Sequence, residues 1–250
     1  MFLTKATNLI LDGLLTLVYP QSCAVCQQSV ERRHLGIACA DCWAGTRLFT
    51  DADTICWKCG APSLGVIAAE KRTDVRCRRC DNDAFTAARA CGAYEGALRA
   101  AVLALKREPN VSRHLLRLLA QTQQRSPLDQ ATRVLPVPLH PDREKERGFN
   151  QATVIGRQLA LRSRLPFDNK SLIRTTHSAK HRAGMDAAGR RSSVASAFAV
   201  SYPRLVAGEK ILLVDDVFTT GATVSACAQA LLSAGADSVL VLTLARPVRY

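Results

Sequence analysis

The chain has 250 residues, 48% of them hydrophobic, ten cysteines and a formal net charge of +13 at neutral pH. That length accommodates one substantial core plus a smaller appended unit, so two domains are expected. The one apolar run near the start, residues 9–18, is too short to span a bilayer and is broken by Asp12, and no small-residue cleavage site precedes Cys23, which excludes a membrane span and argues for a cytoplasmic protein. The basic excess is uneven: residues 1–85 hold ten Lys/Arg against nine Asp/Glu, and the remainder twenty-four against twelve. Such an excess suits nucleic acid or a small polyanion, and charge alone does not choose. An aromatic content of 5% argues against an extensive base-stacking platform.

Residues 1–20 come first in chain order. Leu11, Leu14, Leu15 and Val18 recur at helical spacing and predict an amphipathic helix packed on the rest of the protein. Four CxxC pairs follow: Cys23/Cys26, Cys39/Cys42, Cys56/Cys59 and Cys77/Cys80. A CxxC turn sets two thiolates on one side of a tight loop, and two such turns complete a tetrahedral sulfur shell around zinc. The spacing predicts two structural four-cysteine zinc sites over residues 21–84, since a closed thiolate shell leaves no open position for catalysis. A disulfide framework or a redox pair is disfavoured by the absence of a secretory signal. A cross-braced arrangement, joining the first and third pairs, stays open. Cys91 and Cys227 read as buried small residues. Arg76, Arg78 and Arg79 flank the last pair and offer a nucleic-acid contact surface, although this front section is almost charge-balanced.

A linker is expected near Asp81–Thr86, and residues 85–250 then alternate short β-branched runs with helical patterns. Strands are predicted at Val134–Pro138, Ser171–Thr175, Ala195–Val200, Lys210–Val217 and Ser238–Arg246, and helices at Ala97–Lys106, Val111–Gln124, Gln151–Leu165 and Ala222–Ala234. Apolar runs such as Ile211–Val214 followed by a helix fit central strands of a parallel sheet covered on both faces. The class is α/β, a doubly wound parallel sheet with a small N-terminal zinc-ribbon domain. In such sheets ligands bind beyond the carboxyl ends of the strands.

Two strand exits are unusual. In the first, the strand ending at Val214 is followed by Asp215, Asp216, Val217, Phe218, Thr219, Thr220, Gly221, Ala222 and Thr223. The hydroxyl-rich turn and the helix that it opens offer donors and a favourable dipole end to a phosphate, and Gly221 permits close backbone approach. Two adjacent carboxylates would repel that anion unless they meet ribose hydroxyls or a magnesium shell, and a phosphorylated sugar satisfies both halves. In the second, three prolines lead from a strand into His140, Arg143, Lys145 and Arg147 before a helix begins near Asn150 or Gln151, a stretch suited to a pyrophosphate. A third basic segment, His177 to Arg191, holds Lys180, His181, Arg182, Arg190 and Arg191 between Gly184 and Gly189.

Ile211 to Thr223 resembles the signature of type I phosphoribosyltransferases that binds 5-phosphoribosyl-1-pyrophosphate (PRPP). The resemblance implies that Asp215 and Asp216 hold the ribose 2′- and 3′-hydroxyls, that Thr219 to Thr223 receive the 5′-phosphate with Val217 and Phe218 also at the PRPP site, and that Arg147 acts with His140 and Arg143 at the pyrophosphate, with magnesium. The third segment, including Lys180 and Arg190, resembles the flap that closes over PRPP in this fold. Taken with the CxxC front, Tyr94–Arg99, Leu105-Lys106 and Arg147-Gly148-Phe149-Asn150-Gln151, the chain resembles the ComF/GntX family over nearly its whole length. It departs from that family's flap pattern at Arg182, Met185 and Ser193.

The family implies a role in DNA uptake or use, with single-stranded DNA or competence-machinery proteins at the inner face of the membrane as partners. An enzyme transferring phosphoribosyl to an unspecified acceptor is the leading expectation, because both loops and a flap are retained. A non-catalytic PRPP or nucleotide sensor and a single-strand-handling module are the alternatives.

Overall fold

The computed structural model describes residues 21–63, 65, 67–175 and 197–248. The expected helix of residues 1–20 and the whole of the basic flap, His177 to Arg191 with Lys180 and Arg190, lie outside them. Four parallel strands build the main sheet: β1 (Ala87–Ala93), β2 (Arg133–Pro136), β5 (Lys210–Val217) and β6 (Ser238–Arg246), in the order β1-β6-β5-β2. Two short antiparallel strands, β3 (Leu172–Arg174) and β4 (Phe198–Val200), pair separately. The helices are α1 (Ala40–Ala44), α2 (Gly96–Leu105), α3 (Arg113–Gln123), α4 (Pro141–Arg147), α5 (Gln151–Ser163) and α6 (Ala222–Ser233). None among the described residues is long and apolar enough to cross a membrane.

The central strands read as unbroken apolar runs because both of their faces are covered. Leu212 and Val214 of β5, with Leu240, Leu242 and Leu244 of β6, pack under α2, α3 and α5. The alternate residues Ile211, Leu213, Val239 and Val241 pack under α6 and the β3/β4 pair. Period-two alternation thus feeds two cores, the doubly wound arrangement. Side chains set the helix starts. Ser112 Oγ accepts from Leu115 N–H, and Asn150 both accepts from Ala152 N–H and donates to Val137 C=O, which fixes the chain's path from β2 into α5.

β1 carries no sequence signal for a strand. Its seven residues, Ala-Ala-Arg-Ala-Cys-Gly-Ala, lack β-branched side chains, yet all seven are buried. Their partner explains the strand: β6 pairs with them in parallel from Ala87↔Leu240 to Ala93↔Arg246. The cysteine-rich unit closes their other edge. Phe49 N–H donates to Cys91 C=O at 2.9 Å, Ala93 N–H to Arg47 C=O at 2.9 Å and Ala88 N–H to Lys58 C=O at 2.6 Å. Three contacts lock this cover in place. Arg125, which follows α3, reaches Phe49 C=O, Thr50 C=O and the Asp51 carboxylate. Buried Arg89 donates to Trp57 and Ser126 carbonyls with its guanidinium 4.9 Å from the Trp57 ring centre. Thr46 Oγ1 accepts from Ala97 N–H at 2.9 Å, supplying the cap that Glu95 does not provide for α2.

The expected linker is packed rather than free: Phe85 is buried and Thr86 N–H donates to Val239 C=O. Other departures are small. β3 and β4 form their own pair instead of joining the main sheet, and the basic stretch after β2 contains α4, which was not expected.

Gly92 sits where the cover approaches most closely. A Cβ there would stand 2.5 Å from the Arg47 carbonyl oxygen and 3.1 Å from Leu48 Cα, so backbone must move to admit it. Gly92→Ala is expected to cost about 2 kcal/mol and to lower Tm by roughly 4–8 °C, read by thermal denaturation of the zinc-loaded chain.

Candidate phosphate and metal sites

β2 and β5 lie side by side, with Pro136 opposite Val214, so their exits open next to one another at the carboxyl edge of the sheet. This brings the two loops singled out in the sequence together. Asp215 and Asp216 are the last polar residues of β5 and are partly buried. Asp216 N–H donates to Asp215 Oδ1 at 2.8 Å. Burial, then the charge of Asp216, raises Asp215 to about 7. Among the described residues Lys106, at the carboxyl end of α2, answers this pair, with Nζ 3.6 Å from Asp216 Oδ2. In the sequence Lys106 stands only as the end of a predicted helix and as part of a resemblance. Its approach to Asp216 depends on how α2 packs against the sheet, and no local pattern shows it.

Beyond the carboxylates the loop turns into α6. Gly221 is its N-cap at φ +85°, a left-handed conformation that favours glycine, and offers no side chain to the helix start, where Ala222 N–H donates to Thr220 Oγ1 at 3.4 Å. Thr219, Thr220, Ala222 and Thr223 are exposed around this terminus, whereas Phe218 is buried beneath it. Exposed hydroxyls and first-turn N–H groups at a helix start are the kind of donors that an anion-binding cradle uses.

Across from it, α4 carries the second loop's cations. His140 is its N-cap, with Nδ1 accepting from Asp142 N–H and lying 3.4 Å from Asp142 Oδ2. Arg143 is exposed, and Arg147 ends the helix with Nη1 donating to Gln151 Oε1 at 3.0 Å. No residue of α4 is buried. The helix is held by its ends: Pro141 begins it, and Gly148 and the Asn150 cap close it.

The eight clustered cysteines resolve into two sets, Cys23/Cys26/Cys39/Cys42 and Cys56/Cys59/Cys77/Cys80, with sulfurs within 4.8 Å of one another in each. Pairing is sequential, which settles the alternative of a cross-brace. Sulfur–sulfur separations of 3.5–3.7 Å match the roughly 3.8 Å edge of a zinc tetrahedron with Zn–S of about 2.3 Å. Backbone donors address the sulfurs as they would thiolates: Val25 and Cys39 N–H groups reach Cys23, and Cys77 N–H reaches Cys56. The hydrogen bond from the Cys59 side chain outweighs burial and, with backbone donors, holds Cys56 down at about 4. The donor set therefore fits zinc in both places. The first set joins the core under α2, α3 and α5, and the second joins the core under α6, so the unit straddles the edge of the sheet.

Comparison with known proteins accords with this architecture. The double zinc ribbon domain family matches residues 14–93, and the phosphoribosyl transferase domain family matches residues 128–249. DNA utilization protein YhgH of Escherichia coli (strain K12) is 31% identical over 238 residues, covering 92% of this chain and 99% of that protein. Competence protein F of Haemophilus influenzae is 33% identical over 114 residues, 45% of this chain and 49% of that protein. Among solved structures, glutamine phosphoribosylpyrophosphate (PRPP) amidotransferase from B. subtilis, complexed with ADP and GMP, aligns with a TM-score of 0.37 at 20% identity, covering 59% of this chain and 26% of that one.

Two measurements check the site chemistry. Metal analysis of the folded chain is expected to return about two zinc per molecule, and neither Cys23–Cys42 nor Cys56–Cys80 should keep metal once two of its ligands are replaced by serine. Asp215 supplies the second. Its folded value lies above that of an ordinary aspartate, about 4, so the folded state holds the proton more tightly than the unfolded chain. Ionisation therefore costs stability that builds as pH rises from about 4 to about 7 and is complete above it. Asp215→Asn should raise stability by on the order of 2 kcal/mol at pH 8, with the gain vanishing toward pH 4, as followed by Tm against pH.

Proposed function

The chain belongs to the ComF/GntX family, which joins a double zinc ribbon to a phosphoribosyltransferase-like domain, and from that premise we propose that it binds PRPP with magnesium at the paired exits of β2 and β5 and transfers phosphoribosyl to an acceptor in DNA uptake or use. One observation carries the reading: Asp215 and Asp216 end a buried parallel strand one short, hydroxyl-rich turn before the Gly221 start of α6. A sugar phosphate has the matching polarity, hydroxyls at one end and an anion at the other.

In this reading the residues act as follows. Thr219, Thr220 and Thr223, with the N–H groups of residues 219–223, receive the 5′-phosphate at the positive end of α6. Asp215 and Asp216 accept from the ribose 2′- and 3′-hydroxyls, and Lys106 holds Asp216 in place. Arg147, oriented by Gln151, together with His140 and Arg143, faces the pyrophosphate and stabilises charge as the C1–oxygen bond breaks. The acceptor nucleophile forms its bond to C1, loses its proton, and pyrophosphate leaves with the bonding electron pair. The two carboxylates are hard oxygen donors suited to magnesium, which when bound with PRPP supplies positive charge against the departing pyrophosphate. Lys180 and Arg190 are assigned to the same anion from the flap by sequence resemblance alone.

The relatives' names speak of DNA utilization and competence, and they support placing the acceptor or a partner in DNA handling. The expectation of a cytoplasmic protein is retained as part of this proposal.

Calorimetric titration of the zinc-loaded chain with PRPP and magnesium tests the site. Binding should require magnesium and should weaken on the order of tenfold to a hundredfold in Asp216→Ala, through loss of charged hydrogen bonds. Affinity should also fall as pH drops below about 7, where protonation of Asp215 removes an acceptor. A folded wild-type chain that takes up no PRPP under these conditions would falsify the proposal.

A further inference from the structure

The phosphate loop does not rest on its own domain alone. Phe218, the buried residue between the two carboxylates and the cradle, is enclosed on three sides. Its N–H donates to Ala245 C=O at 2.9 Å. The Phe85 ring meets its ring at 86° with centroids 5.8 Å apart. The guanidinium of Arg246 lies 5.0 Å from its centroid. The tip of its ring lies under Gly221, where a Cβ would stand 2.9 Å from Phe218 Cζ. The loop's left-handed turn is therefore moulded on this ring.

Two of those contacts lead into the second four-cysteine set. Arg246 is buried at the end of β6, and its Nη1 donates to the carbonyl of Cys59, one of the four ligands. Phe85 follows the last ligand, Cys80, by five residues. A parallel contact runs alongside: Asp83 N–H donates to Cys80 C=O, Ala84 N–H donates to Ser225 Oγ at 3.0 Å in the first turn of α6, and Asp83 Oδ2 lies 3.4 Å from where a Gly221 Cβ would stand. Among the described residues the first four-cysteine set leads elsewhere: Thr46 Oγ1 donates to Cys42 C=O and caps α2, which ends at Lys106 beside Asp216 and not at the turn of residues 218–223. Trp43 of α1 meets His114 of α3, with ring centroids 4.5 Å apart.

We propose that Arg246 is a positioning residue for the phosphate loop: with Phe218 it forms a strut that transmits the fixed geometry of the second four-cysteine set, and not of the first, to the turn at residues 218–223. A tetrathiolate zinc shell carries a net charge of about −2, which favours a buried guanidinium beside it, while the same guanidinium faces the electron-rich surface of Phe218. Metal at the second set thereby holds the cradle in its ligand-binding shape. The functional consequence rests on the phosphate reading of the loop, but the mechanical coupling does not.

Backbone amide exchange, followed by mass spectrometry on the full zinc-loaded chain without ligand, reads the coupling directly. Arg246→Met keeps the side chain's length and all eight thiolates while removing the donor and the charge. It is expected to speed exchange across residues 218–225 on the order of tenfold, with Arg246→Lys restoring most of the protection and α5 unchanged in both. Cys77→Ser at the second set should act like Arg246→Met, and Cys26→Ser at the first should leave the loop as in wild type. Unchanged loop exchange in Arg246→Met would overturn the strut, as would an equal acceleration in α5, no recovery with lysine, or the same effect from Cys26→Ser. Should Cys77→Ser unfold the chain, the two Arg246 variants decide. A PRPP titration of the same proteins separates the two ideas. Loop exchange as expected with no PRPP binding by wild type keeps the strut and removes the ligand assignment. PRPP binding by wild type with unaltered loop exchange in Arg246→Met does the reverse.

Discussion

The outer edge of β1 is the constraint on which the rest of the molecule depends. A parallel strand exposes unpaired N–H and C=O groups along its free side, and an alanine-rich strand has little side-chain bulk with which to shield them. The protein meets this need with backbone from the cysteine-rich unit: residues 47–49 pair along Cys91 to Ala93, and Lys58 meets Ala88. Covering an edge requires a rigid partner, and a short segment with few apolar residues becomes rigid through metal ligation. The two four-cysteine sets therefore belong to the sheet as much as to a separate unit. The dispersal of their cysteines between the two faces of the main core expresses the same fact.

From that placement follows the electrostatic layout of the site. Closing the edge of β1 positions α2 through the Thr46 cap, and α2 ends in Lys106 beside Asp216. Two adjacent carboxylates meet at a partly buried strand end, and Asp215, raised to about 7 by burial and then by the charge of Asp216, bears the cost. An acidic pair held at this expense of stability is what a ligand with vicinal hydroxyls or a bound cation relieves. Positive charge elsewhere is arranged differently. Arg89 is buried against the Trp57 carbonyl and ring of the cysteine unit and Arg246 between the Cys59 carbonyl and the Phe218 ring, whereas Arg143 and Lys145 stand in solvent on α4. The net charge of the chain thus overstates what is available to a polyanion.

Legibility in the sequence follows the range of the interaction concerned. β5, β6 and α6 declare themselves through local pattern: an apolar run, an acidic exit and a small-residue turn, all within about one supersecondary unit. The cysteine spacing likewise reports the tetrahedra, because CxxC geometry is local. β1 is silent, since six small residues and Arg89 become a strand only by pairing with β6, some 150 residues later. α4 is nearly silent for the opposite reason. It buries nothing, so it has no apolar periodicity, and its signals are only the proline that begins it and the glycine that ends it. Lys106 and Arg246 were each visible as a basic residue at the end of an element, but their partners lie on other elements. A side chain's role in linking two cores has no one-dimensional signature.

The two walls of the candidate site differ mechanically, and this difference has a thermodynamic meaning. The β5 wall is preorganised: its turn is moulded on a buried ring, and that ring is gripped by β6 and by the cysteine unit. The α4 wall is anchored only at its two ends, with Arg147 referred to Gln151 and His140 to Asp142. Ordering long exposed side chains costs about 0.5–1.5 kcal/mol each, so a ligand that spans both walls meets most of that cost at the α4 end. Binding energy gained cheaply at the rigid cradle can then be spent on fixing cations around the opposite end of the same ligand. In a bond-breaking reaction that opposite end is where charge develops, and contacts completed there late favour the transition state over the bound ground state.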